Sequence, residues 1–154
     1  MIHSAVLIPG DGIGPEIAQV AQQAIQATGV QIQWQVGQAG AAQIPLCGSP
    51  LPPETIQMTR QAGVALKGPI TTPIGTGFRS VNVVMRKELD LYANLRPARS
   101  FPGVPSRFDQ VDLVVVRENT EGLYAGVEHM VGKDAAESIK ILTRSGCQRI
   151  LDYA

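Results

Sequence analysis

The feature that most restricts this chain stands at its start. Residues 2–9 are rich in Val, Leu and Ile and read as a buried strand. They run into Gly10-Asp11-Gly12-Ile13-Gly14, a tight loop, and then into Pro15, which suits the first turn of a helix because its missing N–H costs nothing there. Ile17, Val20, Ala21, Ala24 and Ile25 recur on one helical face, and Gly29 is a natural stop. Strand, glycine loop and helix in this order form the opening of an α/β unit.

The rest of the chain keeps the alternation. Val30, Ile32, Trp34 and Val36 alternate with polar residues, as a half-buried strand does. Residues 37–53 are too rich in Gly, Ala and Pro to assign. Pro53-Glu54 opens a helix through Gln61, closed by Gly63; residues 64–66 are a short strand. Residues 70–78 read as loop, and Ser80 is placed to cap a helix over about residues 81–89. Residues 91–95 read as a strand stopped by Arg96-Pro97, and the apolar run 111–116 as a central strand. Residues 119–122 make a turn, residues 124–129 and 138–143 are further strands, and Ser145 is placed to cap a last helix. The expected fold is α/β, with a largely parallel sheet flanked by helices. Residues 100–106, with two prolines and a glycine, are the expected domain boundary: 1–100 as part of a larger α/β domain and 101–154 as the start of a smaller one. The last helix reaches Ala154 without a Gly, Asn or Pro exit signal, so the sequence reads as cut.

Charge narrows the function. The chain is neutral overall, so nothing in its net charge points to a general polyanion binder. Residues 1–66 hold one basic residue, Arg60, whereas residues 67–117 hold eight: Lys67, Arg79, Arg86, Lys87, Arg96, Arg99, Arg107 and Arg117. Such a local excess fits a small anion better than a long nucleic acid. Cys47 and Cys147 form no paired framework, so a reducing, cytoplasmic setting is expected. No apolar run reaches membrane-spanning length, and no membrane or nucleic-acid partner is expected.

The Gly10–Gly14 loop reads G-x-G-x-G, which is not the dinucleotide fingerprint, and no Walker lysine follows. Alone it reads as a tight strand–helix turn sooner than as an anion site. A sharper group is Ser80, Asn82 and Arg86 around a helix N-terminus, with Arg96 and Arg117 at the ends of strands. Open α/β sheets place ligands beyond the carboxyl ends of their strands, and arginines there grip carboxylates with paired charge-assisted hydrogen bonds. Singly, each arginine also fits a surface ion pair, Arg86 with Asp90 and Arg117 with Glu118 or Glu121. Tyr124 alone reads as a packing residue, although a phenol beside positive charge can supply a proton.

Five segments carry a resemblance: residues 7–16 (LIPGDGIGPE), 67–77 (KGPITTPIGTG), 79–86 (RSVNVVMR), 90–97 (DLYANLRP) and 117–129 (RENTEGLYAGVEH). Together they resemble the β-decarboxylating dehydrogenases of isocitrate, isopropylmalate and homoisocitrate. Ser80-x-Asn82-x-x-x-Arg86 is similar to the isocitrate version, in which a polar pair receives the carboxylate that distinguishes isocitrate. A pocket of that kind leaves its polar groups unpaired against an isopropyl substituent. The resemblance implies that Arg86, Arg96 and Arg117 bind substrate, that Tyr124 is catalytic, that Thr71 and Thr72 lie near the nicotinamide, and that Ile13 packs near the adenine.

The implied reaction is an oxidative decarboxylation of the tricarboxylic acid cycle. Hydride passes to NAD or NADP, carbon dioxide leaves with the help of Mg2+ or Mn2+, and the enolate is protonated with Tyr124's help. The Asn119-Thr120-Glu121-Gly122 turn resembles NAD-linked members. Members of this family are longer homodimers whose catalytic lysine and metal-binding aspartates lie beyond the positions matched here. The metal ligands are therefore expected elsewhere, and the 154-residue chain alone is expected to be inactive. The alternatives are a non-catalytic regulatory, dimerisation or carboxylate-binding module, and a homoisocitrate or isopropylmalate dehydrogenase.

Overall fold

The computed structural model describes residues 1–71 and 79–154. The chain forms two compact units, Met1–Leu89 and Asp90–Ala154.

The first unit is built on a three-stranded parallel sheet with β1 (Ile2–Ile8) in the middle, β2 (Gln31–Val36) on one side and β3 (Ala65–Lys67) on the other. The carboxyl half of β1 supplies the fully buried Val6 and Ile8. They pack with Ile56 of α3 (Pro53–Ala62), with Val81 and Met85 of α4 (Val81–Glu88), and with Leu51 and Ile70. Burial of these side chains is the main force holding the unit, at about 25 cal/mol per Å² of apolar surface.

Helix α1 (Gly14–Ala27) carries Pro15 in its first turn, as expected, but it is rotated from the anticipated face. Gly14 and Ala18 are buried, Ala21 and Ile25 are half-buried, and Ile17 and Val20 are exposed. A Cβ on Gly14 would strike the Pro9 carbonyl. That close approach turns the small-residue row toward the protein.

The unassigned stretch 37–53 contains a 3-10 turn, Ala41–Gln43, and a single helical turn, α2 (Ile44–Cys47), ended by Gly48 in the left-handed region at φ 73°. Thr55 anchors it: its hydroxyl donates to the Gln38 carbonyl at 2.7 Å. Helix α3 ends at Gly63 as expected, with φ 73°. Ser80 occupies the N-cap position of α4, but its hydroxyl makes no capping bond.

The second unit departs further from expectation. Strand β4 (Ala93–Arg99) runs through Arg96-Pro97 instead of stopping there. Pro97 stands opposite Val114, and β4 pairs only with β5 (Asp112–Glu118) among the described residues, so a proline at a sheet edge removes no needed donor. The sequence predicts a central strand over 111–116; among the described residues β5 instead pairs with β4 alone, and Leu113, Val114 and Val115 are exposed. Residues 100–106 lie in the β4–β5 connection. Strands β6 (Gly122–Val131) and β7 (Ala135–Ile141) form a second antiparallel pair. Helix α5 (Arg144–Tyr153) is capped by Thr143 and not by Ser145: the Thr143 hydroxyl accepts from the Gly146 amide at 2.9 Å. No helix of the described residues is long and apolar enough to cross a membrane.

Candidate functional site

In the first unit, Lys67 stands at the end of β3, Ser80 at the N-cap of α4, and Asn82 and Arg86 within α4. Lys67 closes β3, and its ammonium donates to the Gly68 carbonyl at 2.5 Å. Burial pushes the Lys67 pKa down, the Arg86 charge pushes it further, and Asp11 opposes both. The Arg86 and Asp11 charges thus act on Lys67 in opposite directions. Ser80, Asn82 and Arg86 are all half-buried. Ile13, the N-cap residue of α1, is 67% exposed, so an apolar side chain is open to pack against a flat ring. Thr71 is exposed, and Thr72 lies outside the described residues.

The loop after β1 supplies its own anion. Asp11 accepts the Thr71 amide on one carboxylate oxygen at 2.7 Å and the Ala41 amide on the other at 3.2 Å. Burial would raise its pKa; the bonds from Thr71 and Ala41 and the charge of Lys67 hold it below the usual carboxylate value. Gly10–Gly14 is a tight turn, closed by the Gly14 amide donating to the Asp11 carbonyl at 2.9 Å.

In the second unit, strand register decides the geometry. Arg96 stands opposite Val115 and Asn94 opposite Arg117, so Arg96 and Arg117 are diagonal neighbours on one face of the β4–β5 ribbon. The Arg117 guanidinium donates to the Tyr124 hydroxyl at 2.6 Å and lies 5.4 Å from the ring centroid. Arg117 thus has a phenol as partner, and Asp90 is paired with Arg149 at 2.9 Å.

The turn that brings Tyr124 back to Arg117 is organised by Glu118. Its carboxylate accepts the Thr120 amide at 2.9 Å, the Thr120 hydroxyl at 2.5 Å and the Glu121 amide at 2.8 Å. Burial alone would raise the Glu118 pKa; these bonds hold it below the ordinary glutamate range. Arg149 of α5 donates to Thr120 at 2.8 Å and lies 4.5 Å from the Tyr92 ring centroid. Sequence reasoning missed Asp11, Glu118 and Arg149. Signals for two of them were present: an aspartate between two glycines at a strand end, and a glutamate two residues before a threonine, both patterns in which a carboxylate bonds nearby backbone.

The profile of the isocitrate/isopropylmalate dehydrogenase family matches residues 4–154. The chain belongs to that family. It is 48% identical over 151 residues to the Arabidopsis thaliana protein "Isocitrate dehydrogenase [NAD] catalytic subunit 5, mitochondrial", covering 98% of this chain and 40% of the relative. It is also 48% identical to the Solanum tuberosum "3-isopropylmalate dehydrogenase, chloroplastic", covering 97% of this chain and 42% of that relative. Among solved structures, isocitrate dehydrogenase from Methylococcus capsulatus superposes with a TM-score of 0.90 at 54% identity, over 98% of this chain and 46% of that one. The chain thus spans about two-fifths of the length of these curated relatives. Both the family and the α/β fold of its members agree with the sequence reading.

The family's divalent metal finds no fit here. Among the described residues no group of three or more His, Cys, Asp or Glu side chains could hold an ion.

Proposed function

We propose that the protein formed with this sequence oxidises and decarboxylates isocitrate with NAD or NADP, with NAD preferred. The observation that carries the reading is the Arg117–Tyr124 hydrogen bond, with Arg96 on the same ribbon face as Arg117. It joins a proton-bearing phenol to a carboxylate-binding cation, the pairing that protonation of a bound carboxylated enolate requires.

Ser80 and Asn82 receive the carboxylate that distinguishes isocitrate, and Arg86, Arg96 and Arg117 hold the substrate's carboxylates. Tyr124 delivers the proton to the enolate carbon. Ile13 and Thr71, with Thr72, lie along the nicotinamide cofactor, which accepts the substrate hydride when bound. The divalent cation, Mg2+ or Mn2+, would be held by carboxylates other than these residues and would polarise the new ketone as carbon dioxide leaves. We further propose a homodimer in the cytoplasm; the free cysteines Cys47 and Cys147 are exposed and unbridged, which suits a reducing setting.

The test is reduced-cofactor absorbance with the purified full-length protein, Mg2+ or Mn2+, isocitrate or 3-isopropylmalate, and NAD or NADP in turn. Preference for isocitrate is expected. Preference for 3-isopropylmalate would overturn the roles of Ser80 and Asn82. Isocitrate binding without turnover would favour a regulatory role, the one named for a Dictyostelium discoideum relative that is 44% identical.

A further inference from the structure

We propose that Asp11 is a positioning residue for the cofactor site, acting through Thr71; the proposal rests on the dehydrogenase reading above. Three loops of the first unit meet at this side chain. Its own loop follows β1, Gly40 and Ala41 follow β2, and Thr71 follows β3. The clasp with the third loop is two-way: the Asp11 amide donates to the Pro69 carbonyl at 3.1 Å, and the Asp11 carboxylate accepts the Thr71 amide at 2.7 Å. The other carboxylate oxygen takes the Ala41 amide at 3.2 Å.

Backbone shape shows how closely the loops fit this side chain. Gly40 has φ 128°, and a Cβ there would sit 2.7 Å from an Asp11 carboxylate oxygen. A Cβ on Gly10 would collide with the Pro69 carbonyl. The carboxylate is thus engaged by two backbone amides from two different loops, and it sets where Thr71 stands relative to Ile13 two residues further along the Asp11 loop. Asparagine can accept only one of these amides, since its NH2 group faces the other donor, and alanine accepts neither.

This role is separable from simple charge. If Asp11 mattered only as a negative charge near an anionic dinucleotide, its removal would tighten cofactor binding. Positioning predicts the opposite.

The experiment compares the full-length protein with its Asp11→Asn and Asp11→Ala variants. KM for the nicotinamide cofactor should rise about tenfold in Asp11→Ala, where both amides lose their acceptor, and less in Asp11→Asn, which keeps one, while KM for isocitrate stays within about twofold. Amide hydrogen exchange should quicken at Thr71 and Ala41 in Asp11→Ala, with the β1 amides of Val6 and Leu7 as internal controls for global opening. An unchanged or lowered cofactor KM, or equal rises in both KM values, overturns the proposal. If the unaltered protein turns over no isocitrate, the dehydrogenase reading fails and the cofactor role of Asp11 falls with it. Exchange at Thr71 then still reports on the clasp, and no change there in Asp11→Ala shows that the clasp is absent as well.

Discussion

Arg117 and Tyr124 are joined head to head: the guanidinium donates to the phenol oxygen at 2.6 Å and lies 5.4 Å from the ring centroid. The bond ties the end of β5 to the third residue of β6, across a turn that Glu118 holds closed. A phenol oxygen that accepts from a cation has its proton free to face another group.

Tyr124→Phe should therefore remove the proton source and leave carboxylate binding in place. In the full-length protein kcat should fall at least about 100-fold, the lower end of what a positioned acid supplies, with isocitrate KM changed by less than about threefold. Steady-state kinetics decide this. A rise in KM with kcat unchanged would make Tyr124 a binding residue.

Ser80→Leu tests the specificity pair. Ser80 stands at the N-cap of α4, with Asn82 and Arg86 on the helix behind it. Because the hydroxyl makes no capping bond, the substitution should cost the helix little. Isocitrate KM should rise about 100-fold, as expected when a polar recognition group is replaced by an apolar one. Unchanged kinetics would remove Ser80 from the site.

Glu118 makes a pH signature. Its folded pKa lies below its unfolded value, so its stabilisation is complete above about pH 4.3, the ordinary glutamate value, and is lost as pH falls through the lower folded value. Glu118→Gln should lower the melting temperature at pH 7 and flatten its fall below about pH 4.3. Melting curves from pH 3 to 7 that run parallel for the two proteins would contradict this.

Residues 1–154 alone should show no dehydrogenase turnover, because the described residues offer no carboxylate cluster for the metal. The same cofactor-absorbance assay checks it. Turnover abolished by Tyr124→Phe would show that these residues suffice.

What could be read in the sequence was local or motif-borne. The β1–loop–α1 opening and the helix closed by Gly63 both depend on residues near one another along the chain. Period, glycine placement and proline at a first turn are written at that range. The family was legible for the same reason, since its segments are short and ungapped.

Tertiary structure decided the rest, because partners distant in sequence made the difference. Pro97 reads as a strand stop in the sequence, yet it lies within β4, which among the described residues pairs with β5 alone. At Gly14 of α1 the Pro9 carbonyl comes so close that there is no room for a Cβ, a constraint that hydrophobic spacing cannot express. Thr143 won the cap of α5, where its hydroxyl also donates to Glu121, 22 residues earlier. Asp11 was an ordinary loop aspartate until folding brought the Thr71 amide, 60 residues away, to 2.7 Å. Which acceptor a loop amide finds depends on how the sheet brings its loops together. No window along the chain contains that information.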